Sequence, residues 1–164
     1  MIAFRAQFEA LYHQHQTEVY RYLRSMGLSP PDAQEIVQEA FLRLFQTLQS
    51  ASPPVNPRAW VYRVAHNLGV DERDRRFIPD ELPDPDRLPL LDDQTPELLL
   101  ISKENARRLV EAWLTLSKQQ RACLSLRAEG LRYREIAEVL TISTPTVGEF
   151  LQRAMKRMRE ALYD

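Results

Sequence analysis

The sequence predicts an all-α fold: two small helical domains joined by an acidic, proline-rich linker. The C-terminal domain is expected to be a four-helix domain that ends in a helix-turn-helix. Three observations carry this. Apolar residues recur every three or four positions in several separate stretches, the period of an amphipathic helix. Glycine is scarce, at four of 164 residues, and most of the eleven prolines fall between those stretches. Residues 77–97 hold one basic residue against seven acids, whereas 1–76 hold nine against eight and 117–164 nine against six. The boundaries read as 1–76, a linker over 77–96, and 97–164.

Phe4, Phe8, Leu11 and Tyr12 lie at helical spacing in a first helix, and Val19, Tyr20 and Leu23 continue the pattern in a second that stops near Gly27. These rings read as core. Ser29-Pro30-Pro31-Asp32 then opens a strong helix, with prolines fitted to its entry and Asp32 complementing the helix N-terminus. Its apolar side is Ala33, Ile36, Val37, Ala40, Phe41, Leu44, Phe45 and Leu48. The opposite side, with Asp32, Glu35, Gln38, Glu39, Arg43 and Gln46, is too acidic to lie on phosphate and is left for water or for a protein partner.

A loop, QSASPPVNP, leads to RAWVYRVAHNLGVDERDRR over residues 58–76. Trp60, Val61, Val64, Ala65, Leu68 and Val70 form the expected buried side, with Arg58, Arg63, His66, Asn67, Arg73, Arg75 and Arg76 around it. Two readings stand side by side. Arginines, stacking rings (Trp60, Tyr62) and an Asn suit single-stranded nucleic acid. A core Trp with solvated arginines is the plainer one.

The linker, FIPDELPDPDRLPLLDDQTP, is too rich in proline for a regular helix or sheet. Its leucines, Leu82, Leu88, Leu90 and Leu91, are candidates for transient docking. Pro96-Glu97 looks like the next helix start, with Leu98, Ile101, Leu109 and Trp113 inward to about Thr115. From Leu116 the chain reads as three more helices. The middle one puts Ile136, Ala137, Val139 and Leu140 on one side, and the last spaces Val147, Leu151, Ala154, Met158 and Leu162 by 4, 3, 4 and 4. Thr141-Ile142-Ser143 is a tight connector with Ser143 as N-cap. Two helices joined this way, the second followed by Arg153, Lys156, Arg157 and Arg159, describe a DNA reader. An ordinary bundle end with a basic face is the alternative.

No Gly-rich phosphate loop, metal cluster or nucleophile–base motif is present, so no enzyme, cofactor or metal is expected. His66 has no second His or Cys at ligand spacing, and the single cysteine, Cys123, sits among Ala122, Leu124 and Leu126 as a small apolar residue. There is no secretory signal and no apolar run near the length of a membrane span, so a cytoplasmic protein is expected.

Taken together, three segments resemble a bacterial sigma factor of the extracytoplasmic-function group in the sigma-70 family, over almost the whole chain. DAQEIVQEAFLRLF (32–45) is similar to the family's helix for the RNA polymerase clamp. PRAWVYRVAHNLGVDERDRR (57–76) is similar to its −10 element, and residues 116–162 are similar to its −35 reader. The resemblance implies a promoter-specificity subunit with three sets of contacts. Asp32, Glu35, Gln38, Glu39 and Arg43 would dock on core polymerase, at the clamp of its β′ subunit, with the flap of its β subunit as a further contact. Ser52, Asn56, Trp60, Arg63, Asn67, Asp71, Arg73, Arg75 and Arg76 would hold the melted −10 strand, including a flipped base. Arg132, Tyr133, Arg134, Thr144, Thr146, Glu149, Phe150, Arg153 and Lys156 would read the −35 duplex. The linker would thread toward the polymerase cleft as a mimic of nucleic acid, and an anti-sigma factor is a common further partner in the family.

The chain departs from the family in the recognition helix. Where a run like GTVKSRLHRA is common, it has PTVGEFLQRA over 145–154. Gly148 stands for a basic residue, Glu149 for a small polar one and Phe150 for an Arg, and Thr141 replaces the usual turn glycine. A left-handed turn is costly for a residue with a Cβ, so an altered turn is expected. Either Glu149 accepts from a cytosine amino group and Phe150 touches a thymine methyl, giving an unusual −35 preference, or the domain binds weakly and needs help. Two other functions remain in play: a helix-turn-helix regulator acting alone, and a polymerase-binding adaptor recruited by another DNA-targeting partner.

Overall fold

A computed structural model describes residues 2–76 and 103–163. Among them are seven helices and no strand: α1 (Ile2–Ser25), α2 (Pro30–Leu48), α3 (Pro57–Arg76), α4 (Lys103–Thr115), α5 (Lys118–Ala128), α6 (Tyr133–Leu140) and α7 (Thr144–Tyr163). The all-α expectation holds. The acidic linker, the helix start at Pro96-Glu97, and Leu98 and Ile101 lie outside the described residues. The chain divides into two compact units.

In the first unit α1, α2 and α3 pack on one another. The expected break in α1 is absent: one helix runs through residues 16–18, where His15 Nδ1 meets Glu18 Oε2 at 3.1 Å across one turn. The N-terminal half of α1 joins α2 through rings, with Phe8 and Phe45 at 5.1 Å and Tyr12 and Phe41 at 5.1 Å between centroids. Edge-to-face pairs of this kind favour the contact beyond their buried area. The C-terminal half of α1 meets α3. Val19, Tyr22, Leu23, Val61, Tyr62 and Ala65 are essentially inaccessible there. Gly69 allows the close approach, because a Cβ would lie 3.0 Å from Leu23 Cδ2 and 3.1 Å from Met26 Cε. α2 begins as the sequence indicates, with Ser29 Oγ accepting from Asp32 N at 3.3 Å and prolines at the first helical positions.

In the second unit α4 and α5 pack on α7. The buried set includes Leu109, Trp113, Leu116, Leu126, Leu131, Ile136, Val147, Leu151, Ala154 and Met158. Leu162 is half-buried; in α6, Val139 is buried and Leu140 half-buried. Ser117 and Gln120 form a reciprocal capping box at the start of α5. The C-terminus of α4 is capped by arginines from elsewhere. Arg121 donates to the carbonyls of Trp113 (3.0 Å) and Leu114 (2.8 Å), and Arg157 to that of Thr115 (2.9 Å). Arg157 is thereby tied to α4 and stands apart from the other basic residues of α7.

The turn between α6 and α7 keeps the left-handed geometry despite its residue. Thr141 has φ 56° and ψ 48°, and the expected alteration of the turn does not occur. Ile142 N donates to Ala137 O at 3.1 Å, which closes the end of α6. Ser143 then starts α7, its Oγ accepting from Thr146 N at 3.3 Å.

Candidate polymerase and nucleic-acid interfaces

Three faces carry the residues singled out from the sequence. On α2, Glu35, Gln38 and Arg43 are exposed and Glu39 is half-buried, with Arg43 Nε donating to Glu39 Oε1 at 2.9 Å. Leu42 lies among them and is 52% exposed. It has no place in the apolar periodicity of α2, and being out of phase is the one sequence signal that would have found it. Asp32 is different. Its side chain is only 11% exposed and its Oδ1 lies 3.2 Å from Arg76 Nη2. It pins the start of α2 to the end of α3, so it does not belong to the open acidic face.

On α3 the structure corrects the expected buried side. Ala59, Val61, Tyr62, Ala65 and Gly69 are buried, whereas Trp60, Val64, Leu68 and Val70 are half-buried. Tyr62 is no stacking platform: its hydroxyl donates to Glu18 Oε2 at 3.3 Å, beside Arg58 Nη2 at 3.2 Å from the same oxygen. The cause is an acceptor on α1, which no periodicity within α3 reveals. Trp60, Arg63, Asn67 and Asp71 are spaced 3, 4 and 4, so they share one stripe of the helix. The last three are exposed. Ser52 is exposed in the preceding loop, and Val55 beside it is fully so. Asn56 is half-buried and caps α3, with Oδ1 accepting from Ala59 N at 3.1 Å.

The basic end of α3 is ordered by acids. Arg75 Nη2 donates to both oxygens of Glu72 at 2.8 Å, and Arg76 Nε to Glu72 Oε1 at 2.6 Å. Those bonds hold the Glu72 carboxyl below its usual range and raise Arg75 above its own. Arg73 is half-buried. His66 Nδ1 lies 2.6 Å from the Tyr22 hydroxyl. Burial, with the Arg73 charge as a second cause, lowers its pKa to about 4, so the ring is neutral near pH 7. No group of His, Cys, Asp or Glu among the described residues is arranged to hold a metal ion. Cys123 is buried and its thiol is pushed up to about 12, so it stays protonated.

On the helix-turn-helix, Arg132, Arg134, Thr144, Glu149, Arg153 and Lys156 are exposed. Glu149, Arg153 and Lys156 share the side of α7 opposite Val147, Leu151 and Ala154. Arg132 caps α6, its N–H donating to Glu135 Oε1 at 2.9 Å. Thr146 is half-buried and its hydroxyl lies 2.7 Å from Ser143 Oγ. Phe150 is half-buried. Tyr133 is 42% exposed, with Arg127 over its ring at 5.5 Å.

These faces occur in a recognisable order. Residues 11–76 match the sigma-70 region 2 family model, and residues 106–158 match that of sigma-70 region 4. Together the two matches span well over half of the chain. The chain belongs to the sigma-70 family. Several relatives of this sigma-70 member are sigma factors of the extracytoplasmic-function (ECF) group. It is 31% identical over 159 residues to the ECF RNA polymerase sigma factor SigE of Mycolicibacterium smegmatis, covering 94% of this chain and 61% of that protein. It is 28% identical over 159 residues to the RNA polymerase sigma factor YlaC of Bacillus subtilis, covering 95% and 92%. The fold is shared with solved structures. CnrH in complex with the cytosolic domain of CnrY superposes with a TM-score of 0.66 at 23% identity, covering 96% of this chain and 88% of that one. The sigma factor RpoE in complex with the anti-sigma factor NepR, from Bartonella quintana, gives 0.70 at 17% identity, covering 95% and 96%. Among the described residues no helix is long and apolar enough to cross a membrane.

Proposed function

We propose that this sigma-70 member is the promoter-specificity subunit of an RNA polymerase, directing initiation by contacting core polymerase and promoter DNA. The observation that carries the reading is the pair of family regions in order, region 2 on the first helical unit and region 4 on the second. On the first unit, Glu35, Gln38, Glu39 and Arg43 with Leu42 at their centre form a charged rim around an apolar anchor. That is the pattern of a protein-binding patch, assigned here to the clamp of core polymerase. Asp32 acts indirectly, by holding the entry of α2.

The exposed stripe Arg63, Asn67 and Asp71, with half-buried Trp60, tracks the melted −10 strand. The loop carrying Ser52 and Asn56 holds a flipped base. Opening costs about 1–2 kcal/mol per base-pair step, and capture of one base by stacking and edge contacts returns about 1–3 kcal/mol. Arg73, Arg75 and Arg76 supply phosphate contacts, the last two after exchanging Glu72 for phosphate. On the second unit, Arg132, Arg134 and Thr144 position the backbone of the −35 duplex. Thr146, Glu149, Arg153 and Lys156 face the groove, and Glu149 selects for cytosine as acceptor from its amino group. The β flap and an anti-sigma factor are further partners of the same chain.

The test is reconstitution with core polymerase on a promoter library. Specific transcripts are expected. Polymerase binding without initiation would favour the adaptor, and duplex binding without polymerase binding would favour a regulator acting alone.

A further inference from the structure

Gly148 is the fifth residue of α7, in the part of a recognition helix that meets base edges. Glycine inside a helix destabilises it relative to alanine, so a fold-level reason is expected for one. None is present. Its φ is not positive, unlike those of Gly27 and Gly130. A Cβ built on it would meet a single neighbouring atom, Tyr133 Cε2, at 3.9 Å, which is ordinary van der Waals contact. Gly69 in α3 makes the contrast, since three side chains crowd its missing Cβ within 3.3 Å. The absent side chain at 148 therefore leaves unfilled space on the surface, walled by the edge of one aromatic ring.

That ring is held in place. Arg127 lies over Tyr133 at 5.5 Å from the centroid, and its own Nη1 donates to Leu131 O at 2.9 Å, which anchors it in the turn before α6. Tyr133 nonetheless remains 42% exposed. The result is a shallow notch with an aromatic wall and a bare helix backbone as its floor. A notch of this kind suits a small apolar group. The major groove offers one such group, the C5-methyl of thymine. Phe150, which the sequence suggests for that contact, is half-buried on the other flank of α7.

We propose that Gly148 and Tyr133 form a specificity notch that receives the methyl group of one thymine in the upstream promoter element. The inference rests on the −35 reading above and adds the base group it selects. Gly148 serves this role at a cost in helix stability, because any side chain there fills the space the methyl needs.

The test uses full-length chain reconstituted with core polymerase, on a promoter that the wild type selects from a library. Each thymine of the upstream element is replaced in turn by deoxyuridine, which removes the methyl and leaves the hydrogen-bonding edge intact. One replacement should weaken wild-type binding about fourfold, the weight of one buried methyl-sized group. The same replacement should have no further effect on Gly148→Ala or Tyr133→Ala. Gly148→Ala should melt at a higher temperature than wild type while binding the thymine promoter more weakly, which separates lost recognition from lost folding. Neutral replacements throughout, selected elements without a fixed thymine, or a methyl effect that persists in Gly148→Ala would each overturn the notch. Failure of the wild type to initiate from any library promoter would instead overturn the promoter-reading function beneath it.

Discussion

Thr141 holds a left-handed backbone that costs an L-residue about 1–2 kcal/mol. Thr141→Gly should therefore stabilise the chain by up to about 1 kcal/mol, part of the gain being lost to the greater freedom of glycine in the unfolded state. A shift of the urea midpoint to higher concentration checks this. Ser29 is the converse case. Its hydroxyl caps α2, and Ser29→Ala should cost about 0.5–2 kcal/mol in the same measurement. His66 sets a pH dependence. Its folded pKa, about 4, lies below the ordinary value of 6.5, so between those values the unfolded chain binds more protons. Stability should rise with pH across that window and level off above it, by at most about 3 kcal/mol. His66→Phe should flatten the slope, and an unchanged slope would contradict the assignment. At this scale the caps at Ser29 and Ser143 are legible in the sequence because their partners lie three residues on, whereas the left-handed turn at Thr141 is not, because its residue type argues against it. Asp32 and Tyr62 are misread because their partners, Arg76 and Glu18, arrive from other helices.

At the scale of elements, helical periodicity suffices to place α2, α6 and α7. It fails where faces are mixed. α3 is buried through Tyr62, Ala65 and Gly69 because α1 supplies both an acceptor for the Tyr62 hydroxyl and a close approach at Gly69. Gly69→Val should cost about 1–3 kcal/mol by overpacking against Leu23, Met26 and Leu28, read by thermal melting. The end of α3 behaves differently. Arg75 and Arg76 are more than half exposed, and ion pairs in such settings contribute about 0–1 kcal/mol. Arg75→Ala should thus leave the melting temperature nearly unchanged while reducing open-complex formation and flattening its salt dependence, whereas Arg76→Ala also strips the buried Asp32 carboxylate of its partner and should lower stability. Equal losses of stability and opening in Arg75→Ala would assign that arginine to the fold.

For the whole molecule, an almost neutral net charge hides a division that matters. Mildly basic ends flank an acidic segment, and each end folds as a helical unit with its own family signature. Fold class and family were legible because three segments occur in order, each with a helical period and a characteristic charge pattern. The recognition surface was the less legible part. Sequence shows that Gly148, Glu149 and Phe150 are unusual, but only packing reveals that Gly148 is unforced by the fold and that Tyr133 borders the space beside it. The central claim is that one chain brings core polymerase to promoters through both units. Transcription by core polymerase plus this chain on a selected promoter tests it most directly, with Glu35→Lys/Glu39→Lys and Arg153→Ala/Lys156→Ala variants run in parallel. Specific initiation by the wild type, loss of polymerase binding in the first variant, and loss of upstream-element dependence with polymerase binding retained in the second are predicted. Polymerase binding with no promoter-specific transcript from the wild type would contradict it.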